Sequence, residues 1–232
     1  MSHPGSAGAT LRSEIAIAAA RMIAEDGLEY GLVKQKAAEM ICGDSRLAKG
    51  HLPDNSQVED EVRVYQALFQ ADTQPALLAL LREIAALVMQ GLEPFSPHLT
   101  GAVLNGTAGE HSDIHLQLFT DDAKEAAIFL LNAGIDYEVS ESRHFAAGRS
   151  RPREPVETYS FLWRGQFPDT RASRQLASRL RETLGTPVGV HLAIYPRDNL
   201  RGALKPGAAS GRVERAPLAV VRELLETDVA GD

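Results

Sequence analysis

The residues of this chain best suited to chemistry fall on two short alternating segments. In Ser112-Asp113-Ile114-His115-Leu116-Gln117-Leu118, an extended backbone would put Asp113, His115 and Gln117 on one side and Ile114, Leu116 and Leu118 on the other. In Val188-Gly189-Val190-His191-Leu192-Ala193-Ile194, His191 lies between Gly189 and Ala193, opposite the aliphatic residues. One carboxylate and two imidazoles on faces otherwise polar or small can ligate a metal, carry protons or hold phosphate. Ahead of the first segment, Gly106, Thr107 and Gly109 form a tight turn whose backbone amides could approach phosphate oxygens closely. Asp113, His115 and His191 are the residues these faces set apart for such chemistry.

The ordered set of a strand, Gly106-Thr107, a short loop, Ser112-Asp113-Ile114-His115-Leu116 and a helix resembles the signature of the nucleotidyltransferase superfamily, of the polymerase-beta type. That signature runs Gly-Ser, a short loop, Ser-Asp-Ile-Asp-Leu, and later an acid on another strand. Gly106 and Thr107 match the Gly-Ser pair and Asp113 the first metal carboxylate. Two of the three acids are replaced, by His115 and His191. The resemblance covers residues 97–200 and implies a nucleoside triphosphate or nucleotide-bearing partner, with Gly106, Thr107 and Ser112 as nucleotide contacts. It also implies a divalent metal held by Asp113, His115 and His191. Magnesium prefers oxygen ligands, whereas imidazole is an ordinary ligand of Mn²⁺, Zn²⁺ or Fe²⁺. Altered metal use, or a retained fold without catalysis (a pseudoenzyme), are both open. The segments Ile114-His-Leu-Gln and Val190-His-Leu-Ala also resemble the paired motifs of two-histidine phosphoesterases, but Gln117 and Ala193 stand where that family needs hydroxyl residues.

Charge distribution adds a second candidate surface. The formal net charge is -7, which argues against a chain whose whole surface binds polyanions. Nine arginines between Arg143 and Arg181 face three acids, so that stretch carries about +6. Guanidinium forks match phosphate oxygens, which makes Arg149, Arg151 and Arg153 the candidate contacts to RNA or another anionic partner. Cys42 is the only cysteine, so neither an intrachain disulfide nor a multi-thiolate zinc site is possible. No secretion signal is evident at the start, and no run approaches the roughly 20 apolar residues of a membrane span. A cytoplasmic protein without membrane contact is the expectation; the oligomeric state is not legible.

The elements that must position these residues give an α+β fold: an N-terminal helical region, then a nucleotidyltransferase-like mixed β-sheet flanked by helices. Apolar spacing predicts helices over residues 11–26, 33–41 and 76–92. A further one carries Val58, Val62, Tyr65, Leu68 and Phe69. Pro94 and Pro97 end the helical part. Runs rich in β-formers predict strands at 101–105, 114–119, 135–140, 157–163 and 188–195, with helices at 121–133 and 170–184. Tyr159, Phe161 and Trp163 alternate along one strand face and read as core. The Arg/Gly/Pro-rich stretch 143–155 reads as a mobile loop between two strands, and 201–215 as a flexible connection to a final helix at 218–226. The expected divisions are 10–95, 97–200 and 201–232.

Overall fold

The computed structural model describes residues 4–28, 30–43, 50–145, 153–203 and 214–230. The chain divides into two compact units, Met1–Gln74 with Gly109–His111, and Pro75–Ala108 with Ser112–Asp232. The division falls ahead of the fourth helix, whereas the sequence suggested a boundary after it.

The first unit contains α1 (Pro4–Asp26), α2 (Tyr30–Cys42) and α3 (Asn55–Phe69). Its core is built largely from small residues: Ala16, Ala19, Ala20, Ala37 and Ala38 surround Ile15, Val33, Val58 and Val62. Small side chains let the helix axes approach closely. α3 starts at a capping box, in which Asp54 Oδ1 accepts from the Gln57 amide at 2.8 Å and Gln57 Oε1 from the Asp54 amide at 3.1 Å. α1 stops at Gly27, where φ is +65° and a Cβ would stand 2.2 Å from that of His111. The apolar stripe expected of α3 is buried only in its first half. Leu68 and Phe69 are each 70% exposed, because the stripe drifts off the packed face before the helix ends.

The second unit carries the sheet. β1 (His98–Thr100), β2 (Ile114–Phe119), β3 (Glu138–Ser142), β4 (Val156–Trp163), β5 (Val188–Tyr195) and β6 (Arg215–Pro217) pair in the order β3-β4-β5-β2-β1-β6. β2 and β5 are parallel and every other pair is antiparallel. One face packs on helices. Leu99, Leu116, Phe161, Trp163, Val190 and Leu192 share a buried cluster with residues of α4 (Gln74–Gly91), α6 (Ala123–Asn132), α7 (Arg171–Leu184) and α9 (Leu218–Ala230). By strand alternation the other face carries the polar residues, closed at one end by Phe119, Val156 and Tyr195 with Phe145 and Leu200 against them. Among the described residues no helix is long and apolar enough to cross a membrane.

One expectation is corrected here. The strand predicted at 101–105 lies earlier, at His98–Thr100, and residues 102–105 form a single helical turn, α5 (Ala102–Asn105). Gly101, with φ +75° and ψ -155°, leaves the strand conformation and starts that turn. The connection expected at 201–215 lies largely outside the described residues, and at its end β6 pairs with β1 at the sheet edge. Arg215 anchors it: Nε donates to Gln117 Oε1 at 2.8 Å and the guanidinium lies 4.2 Å from the Phe145 ring centre.

Candidate functional site

Strand register builds a polar row across the open face. Thr100 of β1 lies opposite His115 of β2, His115 opposite His191 of β5, His191 opposite Ser160 of β4, and Ser160 opposite Glu138 of β3. Directly opposed residues share a face, so two imidazoles and a hydroxyl become neighbours. The His115 and His191 rings stack with centres 4.8 Å apart and planes 17° from parallel.

Asp113, the residue before β2, closes the row from one end. Its Oδ1 accepts from the Gly189 amide at 2.9 Å, and its Oδ2 lies 3.0 Å from His191 Nε2. The far side of the same imidazole, Nδ1, is 2.8 Å from Ser160 Oγ. Gly189 is what allows Asp113 so near, because a Cβ there would stand 2.6 Å from the carboxylate carbon. The His191 hydrogen bond, then the backbone amide, hold the Asp113 carboxyl below its ordinary value in spite of partial burial. Asp113 is accordingly ionised and able only to accept.

The pKa of His115 is also lowered, which for an imidazole favours the neutral form. Crowding by the sheet lowers its pKa first, the neighbouring His191 adds to that, and Asp113 opposes it. Solvent at its open edge moderates the penalty. The sign follows from proton uptake. As pH falls below about 6.5, the unfolded chain protonates His115 while the folded chain does not, so folding stability drops with pH until the folded group titrates. We expect the His115 ring signals in an NMR titration to reach their midpoint below 6.5. A midpoint at or above that value would contradict the crowding described here.

A cleft of about 750 Å³ opens on this row, lined among others by Asp113, Tyr137, Glu138, Ser160, Arg164 and His191. The sequence-derived residues distribute unevenly around it. Asp113, His115 and His191 converge, and Ser112 adjoins them in the chain. Gly106 and Thr107 point elsewhere: Thr107 is 2% exposed, with its amide and hydroxyl both donating to Asn105 Oδ1, and a Cβ on Gly106 would approach Arg82 and Leu78. The turn that does meet the site is Gly101, where a Cβ would come within 3.7 Å of the His115 ring. Arg149 and Arg151 lie outside the described residues. Arg153 is exposed, and its charge contributes to lowering the pKa of His144. Arg174 and Arg179 of the same basic stretch pair with Asp169 and Glu83.

Sequence reasoning passed over Ser160 and Gly189. Ser160 was legible only as the polar residue alternating with Tyr159 and Phe161, and its meeting with His191 depends on the β4–β5 register. Among the described residues no group of three or more His, Cys, Asp or Glu side chains comes together as a metal-ligand set. Both Asp113 oxygens already have partners, so the donors do not fit a resident two-metal centre. No protein-family profile, curated protein or solved structure matches this chain.

Proposed function

We propose that the second unit is a nucleotidyltransferase-like domain that binds a nucleoside triphosphate, or a nucleotide-bearing partner, in the cleft beside Asp113 without two-metal nucleotidyl transfer. The observation that carries this reading is the register of β2 and β5, which sets His115 and His191 side by side next to Asp113. Those are the positions where the resemblance places metal-binding acids. Among the described residues, carboxylates of Asp113, Asp136 and Glu138 line the cleft against the single guanidinium of Arg164, and they would repel a free triphosphate. Its Mg²⁺ or Mn²⁺ complex is the better ligand, since magnesium held mainly by phosphates and water needs only one or two protein carboxylates. Asp113 would share its oxygens between that contact and the Gly189 amide and His191, and Arg164 offers charge to the phosphates.

Calorimetry with nucleoside triphosphates tests the proposal. Binding is expected in Mg²⁺ or Mn²⁺, is expected to vanish in chelator, and should be lost in Asp113→Ala without release of pyrophosphate by the wild-type chain. Equal affinity in wild type and variant would overturn it.

A further inference from the structure

With His191 as a neutral imidazole, the hydrogen bonds around it run in one direction. Asp113 is an acceptor, so the proton between it and His191 resides on Nε2, and Nε2–H donates to Oδ2 at 3.0 Å. A neutral imidazole carrying its proton on Nε2 has its lone pair on Nδ1. The group 2.8 Å from that lone pair is Ser160 Oγ, whose hydroxyl donates to it in this neutral tautomer. The order is hydroxyl to imidazole to carboxylate, with each member held. Gly189 N–H orients the carboxylate, His115 stacks on the imidazole, and the serine stands on an interior strand of the sheet. A hydroxyl bonded to a base that is itself oriented by a third group defines an activated nucleophile. Its ring nitrogens are exchanged relative to the usual serine triad, which leaves the proton path intact.

We propose that Ser160 is a nucleophile activated by His191 and Asp113, and that the cleft accepts a small carboxylic ester. The cleft fits this use, since its volume suits a small organic ligand and Tyr137 and Leu162 give it apolar surface beside Arg164. In the acylation step Ser160 Oγ bonds to the ester carbonyl carbon while its proton passes to His191 Nδ1. The carbon to alkoxy-oxygen bond then breaks, and the leaving alcohol takes that proton. Water repeats the sequence on the acyl-serine, giving its proton to His191, and Ser160 recovers a proton as the carboxylic acid departs. No oxidant, metal or nucleotide enters the balance, so this activity stands apart from the nucleotide reading.

The test uses the full chain in chelator, with no nucleotide present, and an alkyl fluorophosphonate as probe. Attack forms a bond from Ser160 oxygen to phosphorus, expels fluoride and leaves the proton on His191. Mass spectrometry should find one adduct on the tryptic peptide 154–164, absent in Ser160→Ala. His191→Gln should slow labelling by at least ~100-fold, the scale of a lost general base. Release of nitrophenol from a nitrophenyl acetate should likewise depend on Ser160. An absent adduct in wild type, or equal labelling rates in wild type and His191→Gln, would overturn the assignment. Because wild type alone can fail the test, a misfolded variant cannot rescue the idea. Loss of nucleotide binding in calorimetry leaves these outcomes unaffected, so the two proposals fail separately.

Discussion

Arg82→Ala is expected to lower the unfolding free energy by about 3–5 kcal/mol, the range for removing one partner of a buried ion pair. The guanidinium side chain is 7% exposed. Its Nη1 contacts both Asp228 oxygens at 2.9 and 2.8 Å, its Nε donates to the Val103 carbonyl at 3.0 Å, and its Nη2 to the Leu104 carbonyl at 3.2 Å. Truncation would leave one charge and two carbonyls without those donors, all within the sheet-bearing unit. Lysine should not restore stability, because a single ammonium cannot reproduce a planar fork with three separately aimed nitrogens. Urea denaturation of the two variants beside wild type measures this. A loss below about 1 kcal/mol would mean that water or rearrangement satisfies Asp228 and the α5 carbonyls, and would reduce Arg82 to a surface-like pair.

Gly189→Ala is the second substitution with a large expected effect, concentrated on the site. The backbone at Gly189 does not require glycine, since its φ lies outside the left-handed range, so alanine should be tolerated by β5 itself. The added Cβ would stand 2.6 Å from Asp113 Cγ and Oδ1 and 2.7 Å from Oδ2, so the carboxylate must turn away. It then loses both the Gly189 amide and His191 Nε2. We expect a stability cost of about 1–3 kcal/mol from overpacking, together with a fall of at least ~100-fold in fluorophosphonate labelling at Ser160. Denaturation and labelling on the same preparation give both numbers. Wild-type labelling in Gly189→Ala would show that Asp113 does not orient the imidazole.

Much of the architecture was readable from periodicity. α4 carries a broad apolar face, and β2, β4 and β5 each set one apolar side against helices, while the other side mixes polar residues with Phe119, Leu162 and Tyr195. The alternation of β4 also gave Tyr159, Phe161 and Trp163 as core, and all three are buried. What failed was local punctuation. Gly101 was read as the start of a strand when its positive φ ends one, and β6 is too short to announce itself beside glycines and prolines. At the site, face and spacing brought out Asp113, His115 and His191, which the structure does gather together. Gly106 and Thr107 followed motif spacing alone, and Asn105 takes the Thr107 amide and hydroxyl instead. Ser160 and Gly189 depend on which strand lies next to which, information that no single segment contains.

The position of β5 in the sheet also governs the order in which the protein can assemble. It lies between β4 and β2 and runs parallel to β2, so the site joins Asp113 to a residue 78 positions later. Parallel neighbours need a long crossover, and here that crossover includes α6, the β3–β4 hairpin and α7. During synthesis β1 with β2, and β3 with β4, can pair locally while each still offers a bare edge. Only when residues 188–195 emerge can the last central strand enter and satisfy both edges at once. Closure of the sheet and creation of the site are thus a single late event, governed by loop-closure entropy. A chain interrupted before Val188 would lack β6 as well, leaving the edges of β1, β2 and β4 unsatisfied and favouring association with other chains over folding.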